Sequence, residues 1–392
     1  MIVKKRNGNM VTFDKNKIIV AIQKAMLEVN INTDRAYDIT KRVLDKISDK
    51  NEISIEEIQD IIEETLIEKN YPTVAKAYIL YRDERKRKRE SAKHPLDESV
   101  IGLLNLNNKE VMDENSNKNA VLVSTQRDLI AGEISKHLAK TKMIPEDIVE
   151  AHNRGIIHIH DLDYYIQNET NCELVPLDKI FKEGTVINKK LIRTPKSLRT
   201  ASTLATQIAT KISSYTYGGQ TMSLSHLAPY VRISENKIRK ELLYEMEIIN
   251  KTLSNNDINK IVNERLKKEI KDSIQTFNYQ LSTMNSTNGQ SPFLSLALYT
   301  NENPEYKKET AMLIEEVLNQ RIEGMENEFG VKSTPTFPKL LFFLDEDNMY
   351  PDSEFYYLKQ LAIKCTSLRM NPDYISAKKM KELYGHVFPC IN

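Results

Sequence analysis

Apolar residues near the amino terminus first form strand-like stretches and then follow helical spacing. Residues 2–3 and 10–13 are apolar on either side of Asn7-Gly8, a dipeptide typical of the turn of a β-hairpin. Helical spacing follows over ranges at about 15–29, 33–46, 54 onward and 71–89. The pattern predicts a small α+β unit built from a hairpin and four helices.

Two of these predicted helices carry start signals. Asp14 precedes the first helix and has the short polar side chain of an N-cap. Ser54 stands three residues before Glu57, which is the spacing of a capping box. We therefore expect helices to begin directly after Asp14 and Ser54.

The pattern changes beyond the fourth helix. The charged stretch 82–89 is followed by Pro95, in a segment without periodicity. We predict two domains, at 1–92 and 93–392. The net charge of the chain is only +1, so we interpret the basic part of 82–89 as a solvated helix end and expect no nucleic-acid partner.

The second domain combines long helical patterns with short apolar runs. Helices are predicted at about 120–140, 144–153, 198–217, 234–275 and 305–328. Strands are predicted at 156–159, 293–296 and 340–344. Strands that alternate with helices favour an α/β sheet or barrel.

Composition excludes several classes of protein. The chain has no run of about 18 apolar residues, so we expect no membrane partner. Its amino terminus lacks the apolar segment of a signal peptide. Its three cysteines, Cys172, Cys365 and Cys390, are too few for a disulfide framework and too far apart for a zinc pair. We expect a cytoplasmic protein without a metal site of its own.

The hairpin turn is the first candidate for chemistry. Lys4, Lys5 and Arg6 stand beside Asn7-Gly8. Clustered cations and the free N–H groups of a glycine turn suit a triphosphate. A solvated basic turn has the same residue types, so the pattern alone leaves both interpretations open.

A second candidate combines His158, His160 and Asp161 upstream of Cys172. On a strand the two histidines would share one face, and with a carboxylate they suit a metal ion. A buried, hydrogen-bonded group at a strand end uses the same residue types. A lone cysteine such as Cys172, or Cys365 in its helical pattern, is most often an unreactive core residue.

Three segments of the first domain resemble the ATP-cone, a regulatory module at the N-terminus of many ribonucleotide reductases. They are VKKRNGNMVTFDKNKIIVAIQKA, SIEEIQDIIEETLIEKN and AKAYILYRDERKRK. The resemblance implies that ATP or dATP binds here as an allosteric effector. It implies that the phosphates and the nearby backbone are held by Lys5, Arg6, Asn7 and Gly8. Lys17 is either a further phosphate contact or an exposed helical lysine.

The second domain resembles the catalytic barrel of the anaerobic, class III ribonucleoside-triphosphate reductases. The segments that carry this resemblance, in the family's order, are 155–177, 213–231, 283–298, 334–348 and 365–385. They imply the N-terminal part of a ten-stranded α/β barrel around a finger-like loop. His158 and His160 would then lie on the strand that leads to Cys172 and would hold no metal.

The same resemblance implies the chemistry. A cysteine at the position of Cys172 faces a second cysteine on the fingertip loop, and this second cysteine becomes a thiyl radical that abstracts hydrogen from the ribose C3′. Water then leaves from C2′, and formate or a thiol pair supplies the electrons. Two polar clusters are candidate substrate contacts, although both contain ordinary turn formers. They are Tyr217, Gly218, Gly219, Gln220 and Thr221, and Asn285, Asn288, Gly289, Gln290 and Ser291.

The end of the chain departs from the family pattern. Cys390 is either the radical cysteine itself or the outer cysteine of a pair whose radical member lies beyond residue 392, and we favour the second. The family's radical glycine and four-cysteine zinc site have no counterpart after Gly385. We therefore expect the product of a split or interrupted gene, or a truncated sequence, that needs a C-terminal complement to turn over.

Three interpretations follow. The leading one is the N-terminal portion of a reductase for ribonucleoside triphosphates, acting as a homodimer with a radical-SAM activating enzyme. The second is a non-catalytic regulatory protein that binds ATP or dATP and docks on a partner. The third, an enzyme like pyruvate formate-lyase, shares the barrel but does not account for the ATP-cone.

Overall fold

The computed structural model describes residues 1–5, 10–91, 95–109 and 118–387, without the side chains of 87–91 and 95–97. The chain divides into two compact units, Met1–Glu98 and Ser99–Asn392. Each unit has its own hydrophobic core. Across the described ranges we find no helix with both the length and the apolar content needed to span a bilayer.

The first unit is a three-stranded sheet with four helices. Its strands are β1 (Ile2–Lys4), β2 (Met10–Thr12) and β3 (Glu52–Ser54), and its helices are α1 (Lys15–Glu28), α2 (Ala36–Ile47), α3 (Ile55–Glu68) and α4 (Pro72–Ser91). Strands β1 and β2 form the predicted antiparallel hairpin. Strand β3 pairs with β1 in parallel and was not predicted, because three residues are too few for an alternating pattern to show.

Both predicted helix starts are confirmed. The Asp14 carboxylate accepts a backbone N–H of α1 at 3.0 Å. Ser54 and Glu57 form the capping box, with the Glu57 N–H 3.1 Å from the serine hydroxyl and the Ser54 N–H 2.9 Å from the Glu57 carboxylate. The apolar faces of the helices meet around fully buried side chains such as Ile22 and Leu66. The unit therefore carries its own start signals and its own core.

The second unit alternates strands and helices. Its strands are β4 (Glu173–Leu174), β5 (Thr185–Ile187), β6 (Lys190–Ile192), β7 (Gln220–Ser223), β8 (Leu294–Leu298), β9 (Met325–Glu326), β10 (Lys332–Ser333), β11 (Lys339–Leu344) and β12 (Asp373–Ser376). Its helices, counted from the one that contains the division between the units, are α5 (Pro95–Leu104), α6 (Val123–Leu138), α7 (Glu146–Asn153), α8 (Leu177–Glu183), α9 (Leu198–Ile212), α10 (Ala228–Ile248), α11 (Asn255–Thr283), α12 (Lys307–Glu323), α13 (Glu346–Met349), α14 (Tyr356–Arg369) and α15 (Ala377–Tyr384).

A five-stranded parallel sheet organises this unit, in the order β12-β11-β8-β7-β4. Every pair of neighbours in it is parallel. The strands of this sheet lie side by side in the order in which they occur along the chain. Two neighbouring parallel strands must be joined by a crossover connection, and each crossover here contains helices. The predicted α/β class is confirmed, and the ten-stranded barrel stays a prediction.

The structure confirms some predicted elements and corrects others. The apolar runs at 293–296 and 340–344 are strands β8 and β11. The run at 156–159 is not a strand, and its Ile156 is 64% exposed. The predicted helix 234–275 is two helices, α10 and α11, because the chain turns at Asn250, which has a φ of 53°.

Helices α9 and α11 pack closely in the core of the second unit. Small residues on α9 such as Ala205 allow the approach of large ones such as Phe277 on α11.

Two fully buried serines lie near these helices and differ in their hydrogen bonds. Ser234 accepts the Leu198 N–H at 2.8 Å and donates to Glu269 at 2.6 Å. The Ser202 hydroxyl has no hydrogen-bond partner among the described residues.

These two serines should respond differently to alanine. We expect Ser234→Ala to lower the free energy of unfolding by about 1–3 kcal/mol, because it leaves a buried N–H and a carboxylate without their partner. We expect Ser202→Ala to be neutral or to stabilise by up to about 1 kcal/mol, because it removes an unsatisfied buried hydroxyl from a helix. Urea unfolding followed by circular dichroism measures both. Equal destabilisation by the two variants would contradict this account.

Candidate active site

Three predicted site segments lie at the amino edge of the parallel sheet. Cys172 directly precedes β4, residues 217–219 precede β7, and residues 288–290 precede β8 by a few positions. Neighbouring parallel strands have their amino ends on the same edge, so the pairing brings the segments together. The Gln220 N–H donates a hydrogen bond of 2.9 Å to the Phe293 carbonyl, and this bond joins the segments that lead into β7 and β8.

Cys172 is the exposed thiol of this edge. Its Sγ lies 3.1 Å from the Asn171 side-chain oxygen, which accepts the S–H. Cys365 has the opposite environment: it is fully buried on α14, and burial raises the pKa of its thiol. Cys172 is therefore accessible to solvent, and Cys365 lies in the core.

A β-bulge sets the backbone beside Cys172. Thr170 pairs with Thr216, and Glu173 pairs with Gln220, so the three residues 217–219 that lead into β7 oppose the two residues 171–172 that lead into β4. Gly218 lies in this bulge, and its N–H donates to the Asn171 carbonyl at 2.8 Å. A Cβ at Gly218 would be 2.2 Å from the Asn171 side-chain oxygen. Glycine is required here for the close approach of two backbones.

The two predicted glutamines are buried and point inward. The Gln220 amide donates to the Ala209 carbonyl at 2.8 Å and to Ser213 at 2.9 Å. The Gln290 amide donates to the carbonyls of Ser213 and Thr216 at 3.0 and 3.2 Å. Both side chains therefore fasten their segments to the carboxyl end of α9. Their amide oxygens have no partner among the described residues.

The second polar cluster is a tight loop against the start of α6. Gly289 has a φ of 79°, and its carbonyl accepts the Thr125 hydroxyl at 3.2 Å. Ser286 donates to the Asn288 side chain and so closes the turn. Asn288 and Gly289 thus have the turn chemistry that their types predict. Their contact with substrate, like that of Gly218 and Gly219, stays a prediction.

A buried lysine belongs to the same edge and was missed from the sequence. The Lys118 ammonium lies 2.8 Å from the Asp128 carboxylate and also donates to the Tyr164 hydroxyl. The Tyr164 ring stacks on Tyr217 with 4.5 Å between centroids. The backbone of Lys118 bridges to Gln290. No local pattern reveals this set, because its members are far apart in the sequence.

The prediction that His158 and His160 lie on a strand is wrong. His158 and His160 precede Cys172 but lie on irregular backbone, so they do not share one face of a strand. Their rings are 5.8 Å apart, and His158 also lies 5.6 Å from the ring of His152. His160 pairs with Asp161. In the part of the chain that the structure describes, no group of three or more such side chains is arranged to hold a metal ion.

In the first unit, two predicted effector residues are described. Lys5 is exposed directly after β1, and Lys17 is exposed in the first turn of α1. That turn contains no acidic residue, so its free N–H groups and the lysine favour an anion. Arg6, Asn7, Gly8 and Cys390 lie outside the described residues.

Comparison with known proteins gives two family matches. The model for anaerobic ribonucleoside-triphosphate reductase matches residues 114–390, and the model for the ATP cone domain matches residues 1–87. The anaerobic ribonucleoside-triphosphate reductase of Haemophilus influenzae is 35% identical over 97% of this chain and 53% of its own length. That of Escherichia coli is 34% identical over 98% of this chain and 52% of its own length.

A solved structure is also similar. It is the anaerobic ribonucleotide reductase of Thermotoga maritima in complex with dATP and CTP, with a TM-score of 0.47 and 14% identity over 73% of this chain and 50% of that one. The chain spans about half the length of the curated relatives that it matches. The family model nevertheless covers most of the second unit, and the ATP cone model covers the first. The chain belongs to the anaerobic ribonucleoside-triphosphate reductase family.

Proposed function

We propose that this chain supplies the nucleotide-sensing unit and one active-site cysteine of an enzyme that reduces ribonucleoside triphosphates to deoxyribonucleoside triphosphates. Membership of the family supports the reaction. The observation that carries the proposal is the exposed Cys172 thiol at the edge where residues 217–219 and 288–290 meet.

Cys172 has chemistry that suits the reaction. Its S–H bond is weak enough to exchange a hydrogen atom with a ribose carbon, and Asn171 orients that bond by accepting the hydrogen at 3.1 Å. In this proposal Cys172 faces a second cysteine of the fingertip segment, which is either Cys390 or a cysteine of the C-terminal complement. The exposed position of Cys172 leaves its sulfur accessible to a ribose.

Other parts of the reaction belong to the remaining length of the family. The glycyl radical, which would start the hydrogen abstraction, and the zinc site are expected in the half of the relatives that this chain does not match. We propose that a C-terminal complement supplies both, that a radical-SAM enzyme activates the complex, and that the enzyme is a cytoplasmic homodimer. Formate and a thiol pair remain the two candidate electron donors.

The first unit is proposed to bind ATP or dATP as an allosteric effector. Lys5 follows β1 beside the turn of the basic hairpin, and Lys17 lies in the first turn of α1. Each is an exposed cation, and clustered cations and helix N–H groups are the groups that bind a triphosphate. Asp14 caps this turn: its carboxylate accepts the Asn16 N–H at 3.0 Å and its carbonyl accepts the Lys17 N–H at 3.2 Å.

The effector assignment is tested by removing the two lysines. We expect the double variant Lys5→Ala, Lys17→Ala to bind dATP at least about tenfold more weakly, because two phosphate contacts are lost. Lys24→Ala, an exposed lysine further along α1, is the matched control and should bind normally. Isothermal titration calorimetry measures the affinities. The same loss in both variants would show that only overall charge matters and would refute the site.

The catalytic assignment is tested by reconstitution. The chain is mixed without oxygen with a polypeptide that supplies the family's remaining half and with a radical-SAM activating enzyme, and dCTP formation from CTP is measured. We expect Cys172→Ala to abolish the product, because no other described thiol lies at this edge. Cys365→Ala should keep most activity, because Cys365 is a small buried side chain on α14.

The reconstitution has two informative failures. Product formation by Cys172→Ala at the wild-type rate would remove Cys172 from the reaction. An inactive wild-type mixture whose dATP binding is intact would favour the second interpretation, a non-catalytic regulatory protein.

A further inference from the structure

Tyr217 stands at the point where the bulge meets Cys172. It is the first of the three residues that oppose Asn171 and Cys172, and its N–H donates to the Thr170 carbonyl at 3.2 Å. Bulges re-aim a side chain relative to a regular strand. The pKa of the Tyr217 phenol is raised by desolvation and further by nearby groups that include Asp161 and Cys172. The ring is half-buried and therefore still reachable from solvent.

One face of the Tyr217 ring is covered by Tyr164. The two rings are nearly parallel, with an interplanar angle of 8° and 4.5 Å between centroids. Stacked aromatic rings hold each other in orientation at small entropic cost. The part of Tyr217 that remains exposed thus lies away from Tyr164.

Tyr164 is in turn held by Lys118. The Lys118 side chain is only 5% exposed, and its ammonium contacts the Asp128 carboxylate and the Tyr164 hydroxyl. Burial raises the pKa of Tyr164 to about 12, so its hydroxyl is neutral at physiological pH. Taking a lysine out of water is costly unless its charge is paired and hydrogen-bonded, and here it has both partners.

Lys118 also ties this group to the second loop of the site. Its backbone forms a bridge with Gln290, whose side chain holds the residues before Tyr217. A single lysine therefore links helix α6, the segment before Cys172 and the loop before β8. An apolar side chain would fill the same space without the free-energy cost of removing a charge from water. Packing alone therefore does not explain a buried lysine that contacts Asp128, Tyr164 and Gln290.

We propose that the Tyr217 ring is a wall of the nucleotide pocket and packs against the sugar and base of the bound ribonucleoside triphosphate, beside Cys172. Tyr164 and Lys118 are positioning residues that hold this wall. The inference rests on the proposed function and names residues of that same site. Every base has a π-face, so the contact favours nucleotides without selecting one base.

The test reads ligand binding at Cys172 itself and needs no turnover. Alkylation of Cys172 by iodoacetamide is followed by mass spectrometry of its peptide in the full chain, with increasing CTP. The buried Cys365 serves as an internal standard for folding. Tripolyphosphate is the parallel probe, because it has the phosphates of CTP without its sugar and base.

We expect CTP to protect Cys172 in the wild type and tripolyphosphate to protect it poorly. Tyr217→Ala should raise the half-protecting CTP concentration about tenfold, as the loss of one stacking contact implies. Tyr217→Phe keeps the ring and should match the wild type. Tyr244→Ala, on the exposed face of α10, is the control for loss of a tyrosine and should also match it.

The positioning residues are tested by coupling. Tyr164→Ala should weaken protection as Tyr217→Ala does, and the double variant should be no worse than either, because both changes remove one wall. Tyr164→Phe keeps the stack and should recover most of the protection. Lys118→Met should raise the half-protecting CTP concentration, and a thermal melting curve checks that this variant is folded.

The outcomes separate this inference from the proposed function. Wild-type protection in Tyr217→Ala overturns the wall and leaves the proposed function standing. Equal protection by tripolyphosphate and CTP overturns the contact with sugar and base. Additive losses in the double variant overturn the positioning role of Tyr164. No protection of the wild type by CTP counts against the proposed function and the inference together.

Discussion

Parallel pairing is the constraint on which the second unit depends. Strands that run in the same direction must be joined by crossovers, and their amino ends all lie along one edge of the sheet. The five strands are neighbours in the order in which they follow along the chain. The loops that enter β4, β7 and β8 are therefore brought side by side, although Cys172 and Gln290 are separated by more than a hundred positions. The candidate site is a consequence of this topology.

Two features allow the backbone segments at that edge to approach closely: a glycine without a side chain, and two glutamines whose side chains are buried. Gly218 has no side chain, so the backbone of β7 can approach Asn171, and the extra residue of the bulge has room. Gln220 and Gln290 turn their amides inward and satisfy carbonyls at the end of α9. Gln220 and Gln290, which the sequence suggested as substrate contacts, thus stabilise the fold through these hydrogen bonds. The surface left for a ligand is formed by Cys172 and its half-exposed neighbours.

Local signals in the sequence were sufficient for much of the fold. The caps at Asp14 and Ser54 and the hairpin depend on residues a few positions apart, and they lie where they were predicted. The buried runs that became β8 and β11 are almost wholly apolar and could be recognised as such. Strand β7, with the sequence QTMS, is fully buried but mostly polar, so no hydrophobic pattern announced it. The run 156–159 was apolar and yet remained outside the sheet.

The sequence by itself determined the family and the candidate thiol Cys172, because these follow from short-range patterns and from motifs in a fixed order. Tertiary structure alone decided which side chains meet. Lys118 reaches Tyr164 across 46 positions, and Thr170 reaches Tyr215 and Thr216 across a similar distance. Such contacts depend on the twist and register of a sheet and on the burial of charge, and no local spacing encodes them. The stack of Tyr164 on Tyr217 exists only because the folded chain places these residues together.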